Sequence, residues 1–260
     1  MPPMELQIHP DQDYFRLRLH QLLDALRHAH DARADKASGD NPALLEEALH
    51  QLLEIIARVE SDARATDSDR RGKTHTRQGV READITELGE YSIGLLGELE
   101  HWLQRHQLEE QLTLLAEVQM ALALWIARHG GELLTLEPVV DALAQFANRS
   151  LDPEQLIGLF AYMGEIVEAV APAIRQDLEK TNPGRPWRVL HLNRAIVATR
   201  SHDPAAIQEA YDRLSELLPE EAPRFFAEGM EQMDALDYPP HVRNLVEIYY
   251  QDWNRKHRLH

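Results

Sequence analysis

Residues 42–56 read PALLEEALHQLLEII, and the fold class turns on this stretch. Asn41 just before it carries a side-chain oxygen able to cap the free N–H groups of a helix start. Pro42 suits the first helical position, where its missing N–H costs nothing. Apolar residues then recur at helical spacing among strong helix formers. The same opening returns at Asp152-Pro153 and at Asp203-Pro204. Laid over 42–56, the stretch PAAIQEAYDRLSELL (204–218) matches at Pro, Ala, Glu, Ala, Leu and Glu.

Working outward, the rest of the chain follows the same pattern. Leu17, Leu19, Leu22, Leu23 and Leu26 keep helical spacing within 13–32. Few segments show the period-two alternation of a half-buried strand. Further helices are expected near 82–106, 108–130, 135–148, 152–179, 186–200, 203–218, 220–236 and 240–256, with a kink at Pro172. Gly94 and Gly97 fall inside the first of these and are expected to mark close helix approach. LTLLAEVQMALALWIA (112–127) carries Glu117 and Gln119 and is too short to span a bilayer, so it reads as a buried central helix. Short turns between helices imply antiparallel pairs. The expected fold is all-α: antiparallel helix pairs, arranged either as a solenoid or as a bundle with a repeat-like C-terminal part.

The domain reading is an N-terminal hairpin over 1–62, a flexible basic linker over 63–81 and a helical-hairpin array over 82–260, the alternative being one domain continuous with 1–62. The linker rests on DARATDSDRRGKTHTRQGVR (62–81), which is polar, interrupted by Gly and without an apolar face.

Composition narrows the function classes. The 260 residues carry 44 Asp+Glu against 27 Lys+Arg, a formal net charge of -17. Duplex nucleic acid, which needs a basic face, is therefore an unsuitable partner. With no cysteine, disulfides, thiolate metal sites and cysteine nucleophiles fall away. The start, MPPMELQIHPDQDYF, lacks a basic segment leading into an apolar one, so a cytoplasmic protein without membrane attachment is expected.

The segment VLHLNRAIVATRSHDPAAIQEAYDRLSELLPEEAP (189–223) resembles a tetratricopeptide repeat, with small residues at Ala195 and Ala210, an aromatic at Tyr211 and Pro219 closing the second helix. The resemblance covers the C-terminal third and lacks the Trp-x-x-Leu-Gly-x-x-Tyr signature. It implies a superhelix of helix pairs that binds peptides in a concave groove.

Phosphate-loop, dinucleotide and serine-nucleophile motifs are absent from the sequence, which points away from an enzyme. Two Glu-x-x-His pairs, Glu47 with His50 and Glu98 with His101, have the spacing used by carboxylate-bridged dimetal bundles. They support an alternative expectation, a helical-bundle metalloprotein or oxidoreductase.

The main functional expectation comes from GRPWRVLHLNR (184–194), in a region with no Asp or Glu between Glu179 and Asp203. On a helix starting near Pro186, Val189, Leu192 and Ile196 form an apolar stripe. Trp187, His191 and Arg194 fall within roughly 60° of one another on the opposite side. With Arg188, and with Arg243 and Tyr250 from a second wall, they form a candidate groove for an acidic peptide, since arginine binds carboxylates bidentately. The competing reading is structural: Trp187 staples the helix start, and the arginines pair with acids of neighbouring helices. The expected function is a non-enzymatic adaptor or assembly factor with a protein or peptide partner and no cofactor. A homodimer through the apolar helix at 112–127 is a further possibility.

Overall fold

The computed structural model describes residues 10–32, 42–69, 82–149, 152–176, 182 and 184–257. These form eleven helices and no strand: α1 (Gln12–Ala32), α2 (Ala43–Asp69), α3 (Glu82–Arg105), α4 (Glu109–Arg128), α5 (Glu137–Arg149), α6 (Pro153–Ala169), α7 (Pro172–Arg175), α8 (Pro186–Ser201), α9 (Pro204–Leu217), α10 (Ala222–Ala235) and α11 (Pro240–His257). The fold is all-α, and no described helix is long and apolar enough to cross a membrane.

Helix starts follow the local chemistry. The Asp203 carboxylate accepts from the Ala206 amide at 2.8 Å, with Pro204 in the first turn. Asp152 accepts from the Glu154 amide at 2.9 Å, and Asp11 accepts from the Tyr14 amide at 2.8 Å to open α1. Asn41 lies outside the described residues.

The chain divides into two compact units, Gln7–Gln145 with Glu168–Ile174 and Phe146–Val167 with Arg175–His260. The expected linker, 63–81, falls within the first of these units. Residues 63–69 belong to α2 rather than to a linker, and 70–81 lie outside the described residues. The helix continues because nothing from Asp62 to Asp69 forbids it: no Gly or Pro occurs there.

In the first unit, α1 packs on α2, α2 on α3, α3 on α4 and α4 on α1, closing a ring of four. Helix α4 is enclosed almost all round, with Leu115, Ala116 and residues 118–126 buried. That enclosure excludes it as the surface of a homodimer. On α1 the core is Phe15, Leu19, Leu22, Leu23 and Leu26. Leu17 is 57% exposed, so Phe15 takes the inward place expected for it.

One polar tie crosses this core. The buried Glu60 carboxylate of α2 accepts from the Gln12 amide at 3.0 Å, the Trp125 indole at 3.3 Å and Arg64 at 2.9 Å. It thereby caps the start of α1 and satisfies the one polar atom of a tryptophan side chain that is fully buried in α4.

Pro172 breaks the helix instead of kinking it. Its ring cannot follow a helical turn, and it pushes Ala171 towards extended backbone. Leu133 uses the opening: its amide donates to the Ala169 carbonyl at 2.8 Å and its carbonyl accepts from the Ala171 amide at 3.0 Å.

In the second unit α8 packs on α9, α10 on α11 and α11 on α9. Tyr211 sits at the centre, edge-on to Phe226 at 5.0 Å and to Tyr249 at 5.1 Å. Its hydroxyl is 2.6 Å from that of Thr199, and burial pushes its pKa up to about 12.

Close helix approach occurs at Gly89, not at Gly94 or Gly97. A methyl on Gly89 would stand 2.7 Å from Ile126 Cδ1 and 2.9 Å from Cγ1, whereas at Gly94 and Gly97 it would meet nothing within 4 Å. Gly94 is exposed and Gly97 half-buried. Opposite signs follow from this. Gly89→Ala loses about 1 kcal/mol, the crowding of roughly 1–3 kcal/mol outweighing better helix propensity. Gly94→Ala gains about 0.5–1 kcal/mol. Urea unfolding of the two variants checks both.

Candidate functional site

Helix α8 turns its cationic side inward. Trp187, Arg188, His191 and Arg194 are 4%, 1%, 3% and 7% exposed, while Ile196 of the supposed inner stripe is 44% exposed. The expected groove is therefore reversed. A helical wheel separates two stripes but does not say which one its neighbours cover, and α8 has apolar material on both.

Each arginine meets an acid brought in by another segment. Arg188 donates to Glu221 at 3.2 Å and lies 3.9 Å from Glu220, both at the turn before α10. Arg194 donates to Glu209 of α9 at 2.7 Å. Its guanidinium also lies 4.0 Å from the centre of the Phe160 ring of α6, a cation–π contact strengthened by removal from water. Gly164 leaves room beside it: a methyl there would stand 3.3 Å from Arg194 Nη2. The acid-free stretch of sequence thus acquires its acids in space. An approaching acidic peptide finds this face occupied.

The second wall divides in the same way. Arg243 donates to the Met233 carbonyl at 3.1 Å and pairs with Asp234. It closes the end of α10, where free carbonyls favour a cation. Tyr250 is half-buried on α11. The polar partners of Arg243 thus lie at the end of α10 and not in the α8 cluster.

The four metal candidates do not converge. Glu47, His50, Glu98 and His101 are all exposed, whereas a bundle-core dimetal site needs them directed inward. Among the described residues no group of three or more His, Asp or Glu is placed to hold a metal ion. His50 faces His20 of α1, ring centres 5.5 Å apart, and its Nδ1 lies 2.8 Å from the Glu46 carbonyl oxygen. The cleft around them, about 340 Å³, is lined mostly by charged and polar side chains, including the loosely paired Arg16 and Glu54.

A different cleft is the better candidate. It holds about 460 Å³ between α2 and α3 and is lined by Ile55, Arg58, Val59 and Asp62 of the first and Asp84, Glu87 and Leu88 of the second. That volume lies within the range of about 300–1,000 Å³ common for binding clefts. Ile55, Val59 and Leu88 supply an apolar floor, and Ile55 is 40% exposed. Three carboxylates and one guanidinium stand around it. The cleft thus sets an apolar floor inside a charged rim. The signal in the sequence was Ile55 itself: with Leu44, 79% exposed, it is an apolar residue lying outside the buried stripe of α2. Eleven residues apart, the two share one helix face.

His191 is the strongly shifted group near α8. Burial lowers its pKa to about 4, helped by the positive charges of Arg194 and Arg213. The folded protein keeps the ring neutral while the unfolded chain protonates it near the ordinary value of 6.5. Between those values the unfolded state binds more protons, so stability falls as pH drops, by about 3 kcal/mol in all. His191→Gln is expected to remove most of that loss, seen as a smaller difference in unfolding free energy between pH 7 and pH 4. An unchanged difference would assign the titration elsewhere.

No family model matches the chain, and no curated protein or solved structure matches it.

Proposed function

We propose that the protein is a non-enzymatic helical interaction module, an adaptor or assembly factor that docks a partner in the cleft between α2 and α3. The observation that carries this reading is the exposed apolar floor at Ile55 in a cleft of about 460 Å³. Apolar surface framed by charge is what a docking site presents before its partner arrives. The C-terminal hairpins α8–α9 and α10–α11 support the same class of function. Their starts at 186 and 222 lie close to one tetratricopeptide period of 34 residues apart. In this proposal those hairpins form a scaffold, because their cationic side is internal.

The test is site-directed crosslinking in cells that make the protein. A photoreactive residue at position 58 is expected to capture a defined partner, and one at position 98, exposed elsewhere on α3, is not. Ile55→Glu removes the capture while leaving stability within about 0.5 kcal/mol, as for other surface changes. Equal capture from both positions, or none from position 58, would overturn the reading.

A further inference from the structure

We propose that His20 of α1 and His50 of α2 form an open site for a divalent transition-metal ion of the zinc and nickel class, which ties the two helices together. The site uses none of the residues that line the α2–α3 cleft, so it stands or falls independently of the docking reading.

Ring geometry is the first support. The two imidazole centres are 5.5 Å apart with their planes inclined at 45°. Aromatic rings held by their own attraction prefer an offset stack or an edge-on T, and this pair adopts neither. On a tetrahedral ion with metal–nitrogen bonds of about 2.0–2.1 Å, two imidazole centres stand roughly 5 Å apart. A small side-chain rotation separates the observed spacing from that arrangement.

The state of the ring nitrogens is the second support. His50 Nδ1 lies 2.8 Å from the Glu46 carbonyl oxygen, which can only accept. Nδ1 therefore carries the proton, and Nε2 of the neutral ring keeps the lone pair that binds a metal. Histidines that ligate metals are oriented by this kind of bond. Among the described residues His20 meets the His50 ring, and no hydrogen bond engages either of its nitrogens. Each histidine directly follows a core leucine, Leu19 at 1% and Leu49 at 0% exposure. Packing of α1 on α2 thus fixes where both imidazoles start, as a site on rigid elements requires.

Two imidazoles select zinc, nickel or copper over magnesium and calcium, which prefer oxygen ligands. Glu47 and Glu54 line the same cleft of about 340 Å³. Glu47 accepts from Gln51 at 3.4 Å and Glu54 lies 3.9 Å from Arg16, so neither counts as a ligand. Water completes the shell. A site with two protein ligands is distinct from the groups of three or more that are absent among the described residues.

The experiment is titration of the untagged full chain with Zn²⁺ against a chromophoric chelator near pH 7.5, since a ligating imidazole must be neutral. One equivalent is expected to bind. His20→Gln and His50→Gln each weaken binding at least about tenfold, about 1.4 kcal/mol. The double variant is weaker than either single one by less than about threefold, because one chelate is lost only once. The control is His28→Gln. His28 makes the same bond to the Asp24 carbonyl, at 2.7 Å, but faces no second imidazole among the described residues, and its loss weakens binding less than about twofold. Mg²⁺ in about hundredfold excess leaves Zn²⁺ bound. His20 and His50 are exposed, so the metal-free variants keep the circular dichroism and urea midpoint of the parent. Should a glutamine variant lose its helices, the alanine variant at the same position replaces it.

Unchanged affinity in either His20→Gln or His50→Gln would overturn the proposal. Equal weakening in His28→Gln would show binding spread over the chain's 14 histidines and overturn it as well. So would displacement by Mg²⁺, the mark of a carboxylate site, and so would absence of a bound equivalent.

Discussion

A helix that is apolar around most of its circumference has to be enclosed, and α4 imposes that constraint on the first unit. Its buried residues, Leu115, Ala116 and 118–126, cannot rest on one neighbour. Helices α1 and α3 flank it directly, and α2 completes the ring. The enclosure works only because α3 approaches closely at Gly89, where Ile126 occupies the place of a missing side chain. It also needs Glu60, since the buried Trp125 indole would otherwise leave a donor unsatisfied, a penalty of about 1–3 kcal/mol. One carboxylate thus joins the start of α1, the middle of α2 and the end of α4.

The second unit handles charge where the first handles apolar surface. Helix α8 places Arg188, His191 and Arg194 in its interior, an expensive arrangement unless each is matched. Glu209, Glu220 and Glu221 match the arginines, and the Phe160 ring lies against one of them. In these pairs the arginine is buried and its acid stays partly exposed; such pairs contribute little net stability compared with apolar packing, yet removing the acid leaves a stranded charge. Their effect is to favour one register for α8 against α9 and the turn before α10. Burial, reinforced by the positive charges of Arg194 and Arg213, favours the neutral form of His191.

These two arrangements explain why the docking reading moves to the first unit. The aromatic and cationic residues that look suited to a partner are already used in holding hairpins together. The α2–α3 cleft combines an apolar floor, exposed at Ile55, with a charged rim. Docking of the proposed kind needs exposed apolar surface, while the catalytic class needs converging reactive groups. Glu47, His50, Glu98 and His101 do not converge.

The amino-acid order by itself determined the helical class, most helix boundaries, the caps at Asp152 and Asp203 and the burial of most of 112–127. Those features depend on backbone hydrogen bonds, capping atoms and apolar periodicity within a single segment, and so can be read within a few residues. Tertiary structure alone decided that Phe15 rather than Leu17 faces inward, that Gly89 rather than Gly94 is the close approach, and that α8 turns its arginines to the core. It also decided that Ile55 forms the floor of a cleft. Each of these outcomes depends on a neighbour distant in the chain: Ile126 for Gly89, Glu209 and Phe160 for Arg194, Leu88 for Ile55. A helix carries the same stripes whatever packs against it, and only the partner's shape and charge select the one that water leaves.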